Sequence, residues 1–97
     1  MLIRVTSDGQ VSLEGADDFK RFSIGAAPGA PLATALHGIA RLEGEGHAWV
    51  SPNGLRRLTP LAGTPAWEEG FGKMLAYATS KGWTDESGAV RAHIEIA

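Results

Sequence analysis

Apolar and polar residues alternate strictly near the end of the chain. One set of alternate positions is small or apolar and consists of Val90, Ala92, Ile94 and Ile96. The set between them is polar and consists of Arg91, His93 and Glu95. Successive side chains of a strand point to opposite faces of a sheet. The pattern therefore predicts a strand over 90–96 with one covered face and one open face.

Two shorter alternating runs, 2–6 and 10–14, predict an N-terminal β-hairpin. A three-residue loop that ends at Gly9 sets Val5 opposite Val11. It keeps the apolar residues of both strands on one face, which a one-residue slip would not do. Gly9 then takes the left-handed position of the common three-residue turn.

Helical spacing is clearest over 65–81. Its apolar stripe consists of Trp67, Phe71, Met74, Leu75 and Ala78. Thr64 is a suitable N-cap and Pro65 suits the first turn. Gly82 is a natural left-handed terminator, after which Trp83 is expected to fold back on the helix end.

Three further segments complete the predicted elements. A helix is predicted from Pro31 to the glycines at 44 and 46, and a short helix, capped by Ser51, over 52–58. A strand is predicted over 47–51. The segment 17–24 fits either a short helix, which we favour, or a strand.

Together these elements predict a single α+β domain over 1–97. Its small, mainly antiparallel sheet comprises the hairpin, the strand over 47–51 and the strand over 90–96, in an order that the sequence leaves open. Three to four helices are expected to cover one face. Besides the apolar set of the last strand, the predicted core consists of Ile3, Val5, Val11, Leu13, Leu36, Ile39, Trp67, Phe71, Met74 and Leu75.

Composition narrows the function classes. The chain has 97 residues, a net charge of −2, 43% hydrophobic residues and no cysteine. This charge argues against a general nucleic-acid binder, and the lack of cysteine excludes thiol chemistry. Because no apolar run is long enough to span a bilayer and no signal peptide is evident, we expect a cytoplasmic protein without a membrane partner.

The polar trio on the last strand is the first candidate site. Arg91, His93 and Glu95 share one face, where Glu95 could orient the imidazole of His93 in a pocket. An ordinary solvent-facing strand explains the same pattern. His47 and Trp49 share a face of another strand and form the second candidate.

The sequence indicates neither a metal nor a cofactor. No spacing among His37, His47, His93 and Glu95 resembles a metal motif. His-x-Glu also opens the zinc deaminase signature, but that chemistry needs cysteine ligands downstream. The glycine-rich segment before Pro31 matches neither phosphate-binding motif.

The segments "FGKMLAYATSKGWTDESGAVRAHIE" (71–95) and "HAWVSPNGLRRL" (47–58) resemble parts of a group of small bacterial proteins of unknown function. Their shared features are an aromatic-apolar helix, Gly-Trp at its end, and Arg-Ala-His at the start of the last strand. The resemblance implies no activity. It makes Trp83, Arg91 and His93 the first residues to test.

Two function hypotheses follow. The first is a non-catalytic binding or protein-interaction module that forms a homo-oligomer and takes a small molecule or a protein as partner. The alternative is a small enzyme, or an accessory subunit of one, with acid–base chemistry at His93 and Glu95 or at His47. Convergence of these three residues in one pocket would favour the enzyme.

Overall fold

The chain forms six strands and three helices in a computed structural model that describes residues 1–96. The strands are β1 (Leu2–Val5), β2 (Val11–Glu14), β3 (Ser23–Ala26), β4 (Ala40–Glu43), β5 (His47–Val50) and β6 (Val90–Ile96). The helices are α1 (Leu32–Ala35), α2 (Pro52–Arg56) and α3 (Pro65–Ser80). None of the three is long and apolar enough to cross a membrane.

All six strands form one sheet in the order β2-β1-β3-β6-β5-β4. β3 is parallel to both β1 and β6, whereas the other neighbours are antiparallel. The prediction of a mainly antiparallel sheet under three to four helices is therefore wrong. The sheet is mixed, and only α3 among the three helices is long. β3 is parallel to β1 because residues 15–22 carry the chain from the end of β2 past the start of β1 before β3 begins.

The N-terminal hairpin has the predicted register. Ile3 pairs with Leu13 and Val5 with Val11, which keeps the apolar side chains on one face. Gly9 has φ +87°, the left-handed conformation that the three-residue loop requires. The loop is closed by a hydrogen bond from Thr6 N to Gln10 O of 2.9 Å.

The helix favoured over 17–24 is wrong. The end of this segment enters β3, where Ile24 and Ala26 are buried. β3 has a strand on each side, so its backbone groups gain ladder partners from both β1 and β6. An isolated helix of eight residues cannot compete with that gain because its nucleation is unfavourable.

The long helix predicted from Pro31 is also wrong. α1 is one turn long, and Gly38, with φ +80°, turns the chain into β4. β4 then pairs with β5 across a loop that includes Gly44 at φ +62°. Leu36 is nevertheless fully buried, because the turn still brings its side chain into the core.

The helices α2 and α3 are close to their predicted ranges. Ser51 caps α2 by accepting a hydrogen bond from Gly54 N at 3.2 Å. The Thr64 hydroxyl does not cap α3 and instead donates to Leu61 O at 2.7 Å. Gly82 has φ +76°, and Trp83 N donates to Ala78 O at 2.9 Å, so the chain folds back as predicted.

The core lies between the helices and one face of the sheet. The predicted core residues that are fully or almost fully buried are Ile3, Val5, Leu36, Trp67, Phe71, Val90, Ala92 and Ile94. Those that are partly buried and packed against this core are Val11, Leu13, Ile39, Met74 and Leu75. The prediction is wrong for Ile96, which is 57% exposed. Ile96 extends past β5, whose first residue, His47, already pairs with His93.

Phe19 fixes the connection between β2 and β3 to the middle of α3. Its ring lies so close to Gly70 that a Cβ at position 70 would be 2.3 Å from Phe19 Cε2. Trp67, one turn earlier on the helix, donates its indole N–H to Ala16 O at 2.8 Å. A residue without a side chain at position 70 is therefore a packing requirement.

This packing makes Gly70→Ala destabilising. Alanine normally stabilises a helix interior by up to about 1 kcal/mol relative to glycine. At position 70 we expect a net loss of about 1–3 kcal/mol in the free energy of unfolding, the range for overpacking, because the ring of Phe19 must move. Chemical denaturation measures the difference.

The matched control is Gly72→Ala on the same helix, where a Cβ has no neighbour within 4 Å. This change should leave stability unaltered or raise it by up to about 1 kcal/mol. Equal effects of the two substitutions would show that the Phe19 contact is not the determinant.

Candidate functional site

The face of the sheet opposite the core carries two polar rows that cross β4, β5 and β6. In the first row Glu43 pairs with His47, and His47 pairs with His93. In the second row Arg41 pairs with Trp49, and Trp49 pairs with Arg91. The strict alternation of β6 produces this arrangement because Val90, Ala92 and Ile94 occupy the core face. As predicted, the trio of β6 is exposed.

His47 and His93 form a cross-strand pair. Their ring centroids are 5.3 Å apart and the rings are inclined at 69°. The hydrogen bond from Ile94 N to Gly46 O, 2.8 Å long, marks the adjacent position as hydrogen-bonded. By alternation the two histidines occupy a non-hydrogen-bonded position, where facing side chains of antiparallel strands are closest.

Glu43 connects the two rows. Its carboxylate accepts a hydrogen bond from Trp49 Nε1 at 2.9 Å and another from Arg91 Nε at 3.0 Å. These contacts, the one from Trp49 foremost, hold the pKa of Glu43 below its usual value. Arg41 lies 6.0 Å from the centroid of the Trp49 ring and is ion-paired with Asp85.

A groove of about 390 Å³ opens beside the first half of β6. β3 begins only opposite His93, and Arg91 N donates instead to Trp83 O, in the segment that follows α3. Beside the first half of β6 the sheet therefore lacks a neighbouring strand on the β3 side. We call this gap, between Trp83 and the residues that precede β3, the notch. The groove occupies this notch and reaches both the helix side and the polar face.

The groove has apolar walls and a basic rim. Its large apolar and aromatic lining residues are Phe19, Phe22, Met74, Tyr77 and Trp83. Its basic and imidazole lining residues are Lys20, Arg21, Arg91, His47 and His93. No carboxylate lines it within residues 1–96. Tyr77 and Trp83 make an edge-to-face pair at 5.9 Å and are 58% and 48% exposed.

The predicted site residues separate into three places. His47, Arg91, His93 and Trp83 meet in the groove. Trp49 does not line it and is bound to Glu43 instead. Glu95 lines a different depression, together with Arg4, Thr6 and Gly25. The proposed pairing of His93 with Glu95 is therefore not the arrangement that the structure shows.

Sequence reasoning missed the aromatic wall and most of the basic rim. The helix predicted over 17–24 includes Phe19 and Phe22, and it implies no role for the intervening Lys20 and Arg21. Tyr77 lies three residues after Met74, so helical periodicity could have placed it on the flank of the stripe. Nothing local indicates that these residues face β6, since that depends on the topology of the sheet.

The described residues contain few side chains that are placed to bind one metal ion together. Residues 1–96 contain no group of three histidine, cysteine or carboxylate side chains placed to hold an ion. His37 lies in the turn between α1 and β4 and does not line the groove. The His47–His93 pair therefore supplies two imidazole donors at most from this part of the chain.

Comparison of the chain with protein-family models, with curated proteins and with solved structures finds no match. The resemblance to small bacterial proteins of unknown function stays a prediction. Any proposal about function has to depend on the geometry of the site.

The position of Glu43 gives a testable pKa effect. Trp49→Phe removes the indole donor, so the pKa of Glu43 should rise towards its usual value. The folded protein should also lose the stability that this contact contributes. That contribution is present above the ordinary carboxyl pKa and is lost as the pH falls through the lowered pKa of Glu43.

A ¹³C NMR titration of the Glu43 carboxyl group measures this change. Trp83→Phe is the matched control, because Trp83 lies in the groove and does not contact Glu43. An unchanged pKa in Trp49→Phe would contradict the role given to the indole.

Proposed function

We propose that this protein is a non-catalytic binding module whose groove takes a small molecule with a flat apolar body and an anionic group. One observation supports the proposal most directly. The groove joins aromatic walls to a basic rim and, within residues 1–96, is lined by no acidic side chain. A binding site for an aromatic acid needs both features.

The apolar part of the argument concerns Tyr77 and Trp83. Both rings remain about half exposed although they pack against each other. Covering such surface is favourable by roughly 25 cal/mol per Å². The volume of about 390 Å³ also suits a small ligand, since such pockets span roughly 300–1,000 Å³.

The charge of the rim supports an anionic group. The whole chain has a net charge of −2, yet Lys20, Arg21 and Arg91 all line the groove. Lys20 and Arg21 are exposed. Arg91 uses Nε to bind Glu43, so its terminal nitrogens remain for another acceptor. Clustered like charges in a cleft attract ligands of opposite sign.

The alternative enzyme function has less support. The acid–base chemistry predicted for His93 needs a carboxylate within reach of its imidazole. Glu95 lines the other depression, and Glu43 is held by Trp49 and Arg91. The groove therefore brings His47 and His93 together, but among the described residues no carboxylate lines it beside them. The cytoplasmic location predicted from the sequence is kept as part of this proposal.

Two fluorescent probes test the proposed ligand class. 1-Anilinonaphthalene-8-sulfonate has an aromatic body and a sulfonate, and N-phenyl-1-naphthylamine has the same body without the charge. We expect saturable 1:1 binding of the sulfonate and at least tenfold weaker binding of the amine, about 1.4 kcal/mol. Added salt should weaken only the sulfonate.

Variants assign that binding to the groove. Trp83→Ala should weaken both probes, whereas the double variant Lys20→Gln/Arg21→Gln should weaken the sulfonate alone. Lys73→Gln is the matched control, because Lys73 is exposed on α3, pairs with Glu69 and does not line the groove. Equal binding of both probes, or insensitivity to all the groove variants, would contradict the proposal.

We also propose that the module forms a homodimer. The sheet ends in the edge strands β2 and β4, and unpaired edges are prone to pair with another chain. Symmetric dimers are the commonest oligomers. Light scattering at tens of micromolar, a range in which weak dimers form, should give twice the chain mass. A monomer mass would contradict the dimer and leave the groove proposal unaffected.

A further inference from the structure

We propose that His47 and His93 together form a two-histidine site for a borderline divalent transition-metal ion, of which Zn²⁺ is the representative. The site is the cross-strand pair on the polar face, at the edge of the groove. The inference does not depend on the proposed ligand of the groove.

The separation of the two rings is the first argument. Two imidazoles bound to one zinc at about 2.0–2.1 Å, with a tetrahedral angle between them, have centroids roughly 5 Å apart. The observed separation is 5.3 Å. The non-hydrogen-bonded register keeps the Cβ atoms of the two residues close. Chelation therefore needs rotation of the side chains and no movement of the strands.

The freedom of the two rings is the second argument. Within residues 1–96 neither imidazole makes a side-chain hydrogen bond or ion pair. His93 is exposed and His47 is partly exposed. Their nitrogens can therefore bind an ion without first breaking a hydrogen bond or an ion pair. Imidazole is a common ligand of zinc, copper and nickel, whereas magnesium and calcium prefer oxygen.

The charge around the pair limits repulsion of a cation. Arg91 is the basic residue next to His93 on the same face, and its charge is offset by Glu43 at 3.0 Å. Glu43 itself lies opposite His47 in the register of β4 and β5. Lys20 and Arg21, on the facing side of the groove, oppose binding. We therefore expect a modest affinity, with water in the remaining coordination positions.

A metal at this position would join β5 to β6. The two histidines belong to different strands, so an ion that binds both is bound only in the folded sheet. A ligand that binds only the native state stabilises it, and this stabilisation increases with the ligand concentration. Zinc should therefore raise the thermal midpoint of the protein in a dose-dependent way.

Calorimetric titration of the tag-free chain with ZnCl₂ tests the site. We expect one ion per chain and no binding of MgCl₂. His47→Gln and His93→Gln should each weaken zinc at least tenfold, about 1.4 kcal/mol. His37→Gln is the matched control and should bind like the original protein, because His37 lies in the turn after α1. Circular dichroism checks that each variant is folded.

An NMR titration of the original protein with zinc tests the same site without relying on the folding of any variant. In long-range ¹H–¹⁵N spectra, zinc should shift the ring nitrogens of His47 and His93 and leave those of His37 in place. No saturable binding up to about 1 mM Zn²⁺ would overturn the proposal. Equal shifts at all three histidines, or equal loss in all three variants, would overturn it too.

Discussion

The C-terminal strand β6 holds the two halves of the sheet together. On one side it forms a parallel ladder with β3, and on the other an antiparallel ladder with β5. Without β6, the strands β2-β1-β3 and the hairpin β5-β4 have no shared backbone hydrogen bonds. The buried residues of β6 complete the surface on which Trp67 and Phe71 of α3 pack. The fold and the core therefore depend on the seven residues of β6, which lie between β3 and β5.

The candidate site exists because β3 and β5 pair with different halves of β6. β5 pairs with the first half of β6 and β3 with the second half, so that His93 is the position at which both neighbours meet. The offset leaves a space beside the first half of β6, which the chain before β3 and the end of α3 line with aromatic and basic residues. The same offset places His47 next to His93 at the edge of this space. The groove and the histidine pair thus have one structural origin.

The sequence predicted those features that neighbouring residues determine. The hairpin register followed from keeping Val5 and Val11 on one face, and the range of α3 from its apolar stripe and Gly82. The features that failed depend on distant partners. Whether 17–24 is helical is decided by the ladders that β1 and β6 offer, and the helix from Pro31 gives way to a strand because β5 has a free edge. The same distinction between local and distant determinants explains why only part of the candidate site was predicted. The polar face of β6 could be read from alternation, whereas the approach of Phe19 and Tyr77 could not.

The position of β6 in the chain also sets the order in which the molecule can be completed during synthesis. Every other element of the described chain precedes it, so a nascent chain presents the edges of β3 and β5 before their common partner has emerged. Open edges of this kind favour pairing with other molecules. Contacts between distant segments also slow folding. The groove and the histidine pair do not exist until this last step, so any ligand there recognises only the completed sheet and adds its binding energy to the closure. Insertion of β6 therefore completes the described sheet and brings His47 and His93 together in the same step.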